Sequence, residues 1–456
     1  MNYQAMNREE IITKFKNSTH QYVTVAIADI DGVLRGKTIS GKKFLKALDS
    51  HIGFCDVIFG WDAEDKSYEE TTATGWHTGY PDGKIALDVN TFRICGWNND
   101  MPIILADFSP AEKISGVCPR TLLKKVAARA NEMGFSTEYS CEFEWYNFQE
   151  TPDTLAQKKG VDPTPMTPGM FGYSVLRASQ KTDFYHDLLN HLPAAGIPLD
   201  VLHLETGDGV YEAAIEHTNV LEAADRSVLF KTAVKEIAAR HGLTASFMAK
   251  WNTNLPGSSG HIHQSLWDKE GGRNLFFEAF EENNISLLMK QFIAGQLTCL
   301  PAILPMYAPT INSYKRLVEG SWAPTSVSWG VDNRTTALRV INADEPSMRL
   351  EMRVPGADAN PYLSMAAALA SGLFGIENEL TLDLPVTRGS DYKKGNKSML
   401  PKNLKEAVER MKSSELPVAL FGETFTDHFI KTREWEWNEF SNSVTDWERK
   451  RYLEII

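Results

Sequence analysis

Cysteine is scarce and scattered. The five thiols, Cys55, Cys95, Cys118, Cys141 and Cys299, are an odd number with no CxxC pair among them. That pattern argues against a disulfide framework, leaves no cysteine pair for zinc, and fits free thiols in a reducing compartment. Positive charge is also short: 47 Lys and Arg against 59 Asp and Glu leave a net −12. Such a balance argues against a dedicated nucleic-acid binder or a partner of anionic membranes. It leaves room for an anionic small substrate, because a local group of arginines overrides the global sign. Long apolar runs are missing too. The most apolar stretches, such as Ala366 to Gly375, read as too short to span a bilayer. The opening MNYQAMNREE lacks the basic-then-apolar pattern of a signal peptide. No internal repeat or low-complexity segment is present. A cytoplasmic enzyme with no nucleic-acid and no membrane partner is the expectation.

What is present is length enough, at 456 residues, for a large core and more than one domain. The first hundred or so residues read as a small β-rich unit. Tyr22 to Ile30 alternates and is β-branched, and Asp31-Gly32 offers a hairpin turn before a second extended run. That turn is also the better reading of GVLRGKT, which is one residue short of a P-loop because Asp31 stands where the first glycine belongs. SPAEKISGVCPR has the character of a linker, so the expected division is 1–115 and 116–456. Beyond it, short strands mix with helical candidates: Thr121 to Met133, Asp225 to His241, Ser286 to Leu300, one opening at Asn360-Pro361, Leu404 to Met411, and the tryptophan-rich Glu434 to Tyr452. Strands and helices without a regular βαβ rhythm indicate an α+β fold.

Four short segments carry charge on one face. In CEFEWYNF, Glu142 and Glu144 share a face while Phe143 and Trp145 take the other, and Cys141 points away with them. In LHLETGDGVYEAAI, Glu205 ends one strand and Glu212 lies on the returning one, with His203 on the same face as Glu205. PGSSGHIHQSL sets His261 and His263 on one side. MRLEMRV alternates Arg349, Glu351 and Arg353 with Met348, Leu350 and Met352, and the preceding NRTTALRV reads as a strand that adds Arg334 and Arg339. Alone, each segment reads as a half-exposed strand with its polar face in water. Together they crowd carboxylates, which are costly to bury unless cations neutralise them. Mg²⁺ or Mn²⁺ suit carboxylate oxygens with one imidazole, and neighbouring arginines suit phosphate or carboxylate. The combination suggests metal-assisted phosphoryl transfer.

From about Asp31 to the C-terminus, these segments in this order resemble glutamine synthetase. The resemblance implies an N-terminal β-grasp domain, a catalytic domain with a curved antiparallel sheet and packed helices, and a homo-oligomer of stacked rings, usually a dodecamer, with sites between subunits. It implies one metal held by Glu144, Glu205 and Glu212, and another by Glu142, His261 and Glu351. Gly257, Arg316 and Arg353 would bind L-glutamate. His203, His263, Ser265, Arg334, Arg339 and Arg349 would contact ATP or the phosphate in flight. ATP would convert the glutamate side chain to γ-glutamyl phosphate, which an amine then attacks.

The sequence departs from that pattern where the amine would arrive. The family's flap glutamate is matched by Trp322 in RLVEGSWAPTS, with Glu319 three residues earlier. The family's ammonium-binding aspartate loop reads IFGWDAED, which leaves Asp62 offset beside Trp61. Indole in place of carboxylate removes charge and a base and supplies an apolar wall. Trp322, Asp62 and Arg334 are therefore the candidate catalytic and amine-site residues. The resemblance is closest to γ-glutamylamide synthetases acting on an organic amine, alkyl or aniline-like. Glutamine synthesis from ammonia, or a non-catalytic scaffold, are the alternatives. DYKKGNKSMLP lacks the family's NLYDLP-like modified loop, and Pro346 stands near the place of a phosphate-side lysine.

Overall fold

The computed structural model describes residues 6–18, 20–392 and 398–456. Residues 1–5 of the opening stretch and 393–397 of DYKKGNKSMLP lie outside them. The chain forms two sheets. The first contains β1 (Tyr22–Ala28), β2 (Leu34–Ser40), β3 (Ile52–Cys55), β4 (Asp82–Leu87), β5 (Arg93–Cys95) and β6 (Met101–Phe108) in the order β2-β1-β6-β4-β3, with β5 also on β6. β1 runs antiparallel to β2 and parallel to β6. The turn read at Asp31-Gly32 forms, with Gly32 at φ 78°. Alternation gives β1 two uses. Val23, Val25 and Ile27 pack into a local core with Phe44, Phe92 and Phe108, while Ala26 and Ala28 join the large core beyond. A helix over Arg8–Asn17, not anticipated, is capped reciprocally by Asn7 and Glu10, a signal that NREE carried.

The second sheet contains β7 (Phe135–Phe148), β8 (Leu199–Leu204), β9 (Val210–Ile215), β10 (Thr244–Ser246), β11 (Gly260–Asp268), β12 (Trp329–Val331), β13 (Leu338–Ile341) and β14 (Arg349–Met352). Its order is β12-β13-β14-β11-β7-β9-β8, with β10 on the end of β7. All pairings are antiparallel except β12 with β13. The fold is α+β. Tyr139, Cys141, Phe143 and Trp145 of β7 turn to the core. There Trp145 stacks on Phe247 at 5.9 Å and Phe143 on Phe230 at 5.7 Å. Aromatic pairs of this kind add about 0.5–1.5 kcal/mol beyond their burial.

Helices cover the apolar face of the second sheet. Pro119–Glu132 starts with Pro119 in its first turn, where the missing N–H costs nothing. Val220–Arg240 begins five residues before the expected Asp225, which sits inside it, buried and bonded to Arg120 and Tyr362. Leu287–Ile303 packs against Pro361–Glu377. The two approach so closely that a Cβ on Gly295 would fall 2.2 Å from the Ser371 carbonyl oxygen. One expectation is corrected here: Leu287–Met306 is long and apolar enough to cross a bilayer, but 67 % of it is buried within the protein. The C-terminal run is two helices rather than one, Glu423–Asn442 and Asp446–Tyr452, because Thr445 and Glu448 form a capping box that starts the second. None of the cysteines is in a disulfide, and burial pushes the Cys95, Cys141 and Cys299 thiols up to about 12.

Candidate active site

Strand register assembles the charged face. Glu142 of β7 lies opposite His261 of β11, and Glu144 lies opposite Glu212 of β9. His203 of β8 is also opposite Glu212, and His263 of β11 is opposite Glu351 of β14. The Glu205 N–H donates to Val210 at 3.1 Å, closing the Gly207–Gly209 turn as anticipated. Two triads result, each with ligand atoms within 4.8 Å of one another: Glu142, His263 and Glu351, and His203, Glu205 and Glu212.

These triads differ from the expected grouping in two members. His261 remains beside the first, with Nδ1 3.3 Å from Glu351 and 3.7 Å from Glu142. Period-2 alternation puts both histidines on the face, and His263 reaches Glu142 more closely, at 3.1 Å. Glu144 accepts the Ser259 N–H at 2.6 Å, while His203 Nε2 comes within 3.3 Å of Glu212.

The electrostatics suit cations. Burial, and then the bond to and charge of Glu142 with the charges of Glu144 and Glu205, push the Glu212 carboxyl far up. Burial also raises Glu144, against the Ser259 N–H and Arg316. Burial and the neighbouring Arg353 bring His261 down to about 4, leaving its imidazole neutral with a lone pair to offer. Triads rich in carboxylate oxygen, with the neutral His261 imidazole beside one of them, fit hard divalent cations such as Mg²⁺ or Mn²⁺.

Arginines line the rim of this face. Arg316 is buried, donating to the carbonyls of Val354 at 2.9 Å and Arg353 at 3.3 Å. Burial lowers its guanidinium to about 10, with Glu144 opposing the shift. Gly257 lies against it, since a Cβ there would meet Arg316 Cγ at 2.8 Å. Arg353 and Arg339 both hold Glu351. Gly257, Arg316 and Arg353 are thus one group. Arg349 Nε donates to His263 Nδ1 at 3.3 Å. Arg349, His263, Ser265, Glu142 and Pro346 line a cleft of about 380 Å³. A second cleft, about 540 Å³, is lined by Trp322, Val331, Arg334, Val386 and Arg388. Arg334 lies in the turn before β13 rather than on the strand expected for it.

The sequence profile of the glutamine synthetase catalytic domain matches residues 116–452. Type-1 glutamine synthetase 2 of Dictyostelium discoideum is 47 % identical over 99 % of this chain and 87 % of its own. The chain belongs to the glutamine synthetase family. A glutamate–isopropylamine ligase of Pseudomonas sp. is 35 % identical over 95 % of both chains. A solved GmaS–ADP complex matches with TM-score 0.84 at 26 % identity, over 97 % of this chain and 99 % of that one. The protein is therefore a glutamine synthetase-family ligase, from a family that uses ATP and divalent metals.

Trp322, the residue expected at the family's flap position, lines the second cleft. Trp322 is 66 % exposed and adopts φ 61°. Its segment is tied back by Ser321 Oγ donating to the Arg316 carbonyl and Tyr392 Oη donating to that of Ala323, both at 3.0 Å. Asp62 stands apart from the triads within the chain, where its Oδ2 accepts Trp435 Nε1 at 3.0 Å. Two further groups escaped the sequence reading. Tyr173 stacks on His203 at 4.7 Å and bonds Glu205; its only signal was an aromatic in a glycine-rich loop. Asp391 accepts from Ser326 and Ser328 and donates its N–H to Thr335 at 2.9 Å, tying the segment after Trp322 to the Arg334 turn.

Proposed function

We propose that this protein is an ATP-dependent ligase that joins L-glutamate to an organic amine, alkyl or aromatic, giving a γ-glutamylamide through γ-glutamyl phosphate. The observation that carries this reading is Trp322. Where ammonium needs negative charge and a base, the flap offers an exposed indole over a cleft of about 540 Å³. Arg316 and Arg353, with Gly257 leaving room beside them, bind the glutamate carboxylates. Glu142, His261, His263 and Glu351 would hold one cation, and His203, Glu144, Glu205 and Glu212 the other. When bound, these cations offset negative charge on the phosphates of ATP. His263, Ser265, Arg339 and Arg349 hold the nucleotide in line with the γ-carboxylate, whose oxygen displaces ADP from the γ-phosphorus. Arg334 stabilises the charge that develops on the transferring group. The amine lone pair then attacks the acyl carbon, phosphate leaves, and the surplus N–H proton is lost. An aniline-like amine is neutral at pH 7, so it needs no base before attack.

Phosphate release from ATP, with glutamate and Mg²⁺ or Mn²⁺, tests this across ammonium, alkylamines, a diamine and aniline. Turnover with an organic amine and little with ammonium is expected. Best turnover with ammonium would replace the proposal with glutamine synthesis, the reading favoured by the 47 % identical relative. No glutamate-dependent turnover with any amine would leave a non-catalytic scaffold. Two subordinate proposals go with the main one. The chain divides into units 1–115 and 116–456, supported by the separate core between Ile11 and Cys118. It assembles as stacked rings, a dodecamer, in which Asp62 serves a neighbouring subunit's site.

A further inference from the structure

We propose that the amine taken by this site carries an anionic group, a carboxylate on an apolar or aromatic body, and that Arg388 recognises it. The inference rests on the organic-amine reading above and specifies which amines. The Trp322 cleft is far larger than ammonium requires, and clefts of roughly 300–1,000 Å³ hold sizeable organic ligands. Its apolar walls are Trp322, Val331 and Val386, and its charged members are Asp332, Arg334 and Arg388. Asp332 is engaged by Arg339 at 3.4 Å. Neither Arg334 nor Arg388 makes a hydrogen bond or ion pair among the described residues. Phosphoryl transfer accounts for Arg334, whose charge also acts on the Tyr173 hydroxyl beside Glu205. Nothing in the reaction as derived uses Arg388.

The backbone around Arg388 is nevertheless fixed. Asn333 Nδ2 donates to the carbonyls of both its neighbours, Thr387 at 3.1 Å and Gly389 at 2.7 Å, and the Thr387 N–H donates to Trp329 at 2.9 Å. A guanidinium anchored at its root and, among the described residues, unpaired at its tip, beside an apolar wall, suits an apolar body ending in carboxylate. With Arg334 engaged by the transferring phosphoryl group, the Arg388 charge still repels a substrate with a second ammonium group, so polyamines are disfavoured.

The test is phosphate release by the full-length enzyme with 4-(aminomethyl)benzoate and with its methyl ester, which differ in charge while keeping the same amine and ring. The wild type is expected to favour the acid in kcat/KM by about tenfold, the scale of one charge-assisted pair. Arg388→Gln should bring the acid-to-ester ratio near one through KM for the acid, and Arg388→Lys should restore part of it. Acid and ester used equally by the wild type, or a ratio unmoved in Arg388→Gln, would overturn the inference and leave the organic-amine reading standing. Turnover with ammonium alone would overturn both.

Discussion

Replacing Trp322 with glycine separates a structural role from a chemical one. At φ 61° the tryptophan occupies the left-handed region, where a side chain costs about 1–2 kcal/mol that glycine does not incur. The residue is 66 % exposed, so about a third of a surface of roughly 200 Å² is covered. At about 25 cal/mol per Å² the lost burial amounts to about 1.7 kcal/mol. Strain relief and lost burial nearly cancel, so global stability in urea should move by no more than about 1 kcal/mol. The exposed face is what an organic amine would cover. Some 60 Å² of new contact is worth about 1.5 kcal/mol, close to tenfold in kcat/KM. Trp322→Gly should therefore lower the organic-amine to ammonium ratio of kcat/KM about tenfold in a folded enzyme, while Trp322→Phe retains most of it. An unchanged ratio in a stable Trp322→Gly enzyme would refute the argument that the indole forms the amine wall.

Gly257→Ala places a Cβ 2.6 Å from the Ala249 carbonyl and 2.8 Å from Arg316 Cγ. Displacement of Arg316 should raise the glutamate KM about tenfold or more, with a much smaller change for ATP, read by steady-state kinetics. Glu212→Gln removes a carboxyl that its neighbours oppose. Calorimetry should show the cation-free protein no less stable, yet with a smaller rise in Tm on adding Mn²⁺ or Mg²⁺. Asp29 is buried beneath the hairpin turn, and burial, then the charge of Asp31, raise its carboxyl from 3.8 to about 6. Between those values the folded chain keeps a proton that the unfolded chain has lost. This group's contribution therefore falls as pH rises from 4 to 6, by about 3 kcal/mol. The stability difference between wild type and Asp29→Asn should shrink over that interval in urea titrations, and a flat difference would count against the shift.

Much of the site was legible because a strand's side chains alternate with a local period. Glu142 with Glu144, His261 with His263, and Arg349 with Glu351 and Arg353 could be put on single faces from spacing alone. Their buried partners, Phe143, Trp145, Met348, Leu350 and Met352, followed from the same alternation. The turn at Gly32, the helix opening at Pro361 and the Gly207–Gly209 hairpin were equally local. Errors gathered at element ends and at long apolar stretches. The apolar stretches were read as too short to span a bilayer, although Leu287–Met306 is long enough and is mostly buried in the protein, and Arg334 fell off its strand because the ladder begins only at Leu338.

By itself, then, the sequence determined which residues share a face, where the turns lie, and that carboxylates, imidazoles and guanidiniums would be crowded together. Only the tertiary structure decided who meets whom. His203 rather than Glu144 joins Glu205 and Glu212 within 4.8 Å, His263 outreaches His261 toward Glu142, and Tyr173, Arg388 and Asp391 arrive from loops with no period to announce them. The physical reason is range. Alternation is set by neighbouring dihedrals within one strand, whereas these meetings depend on register between strands and on loops distant in the chain, whose positions are fixed only when the whole core packs.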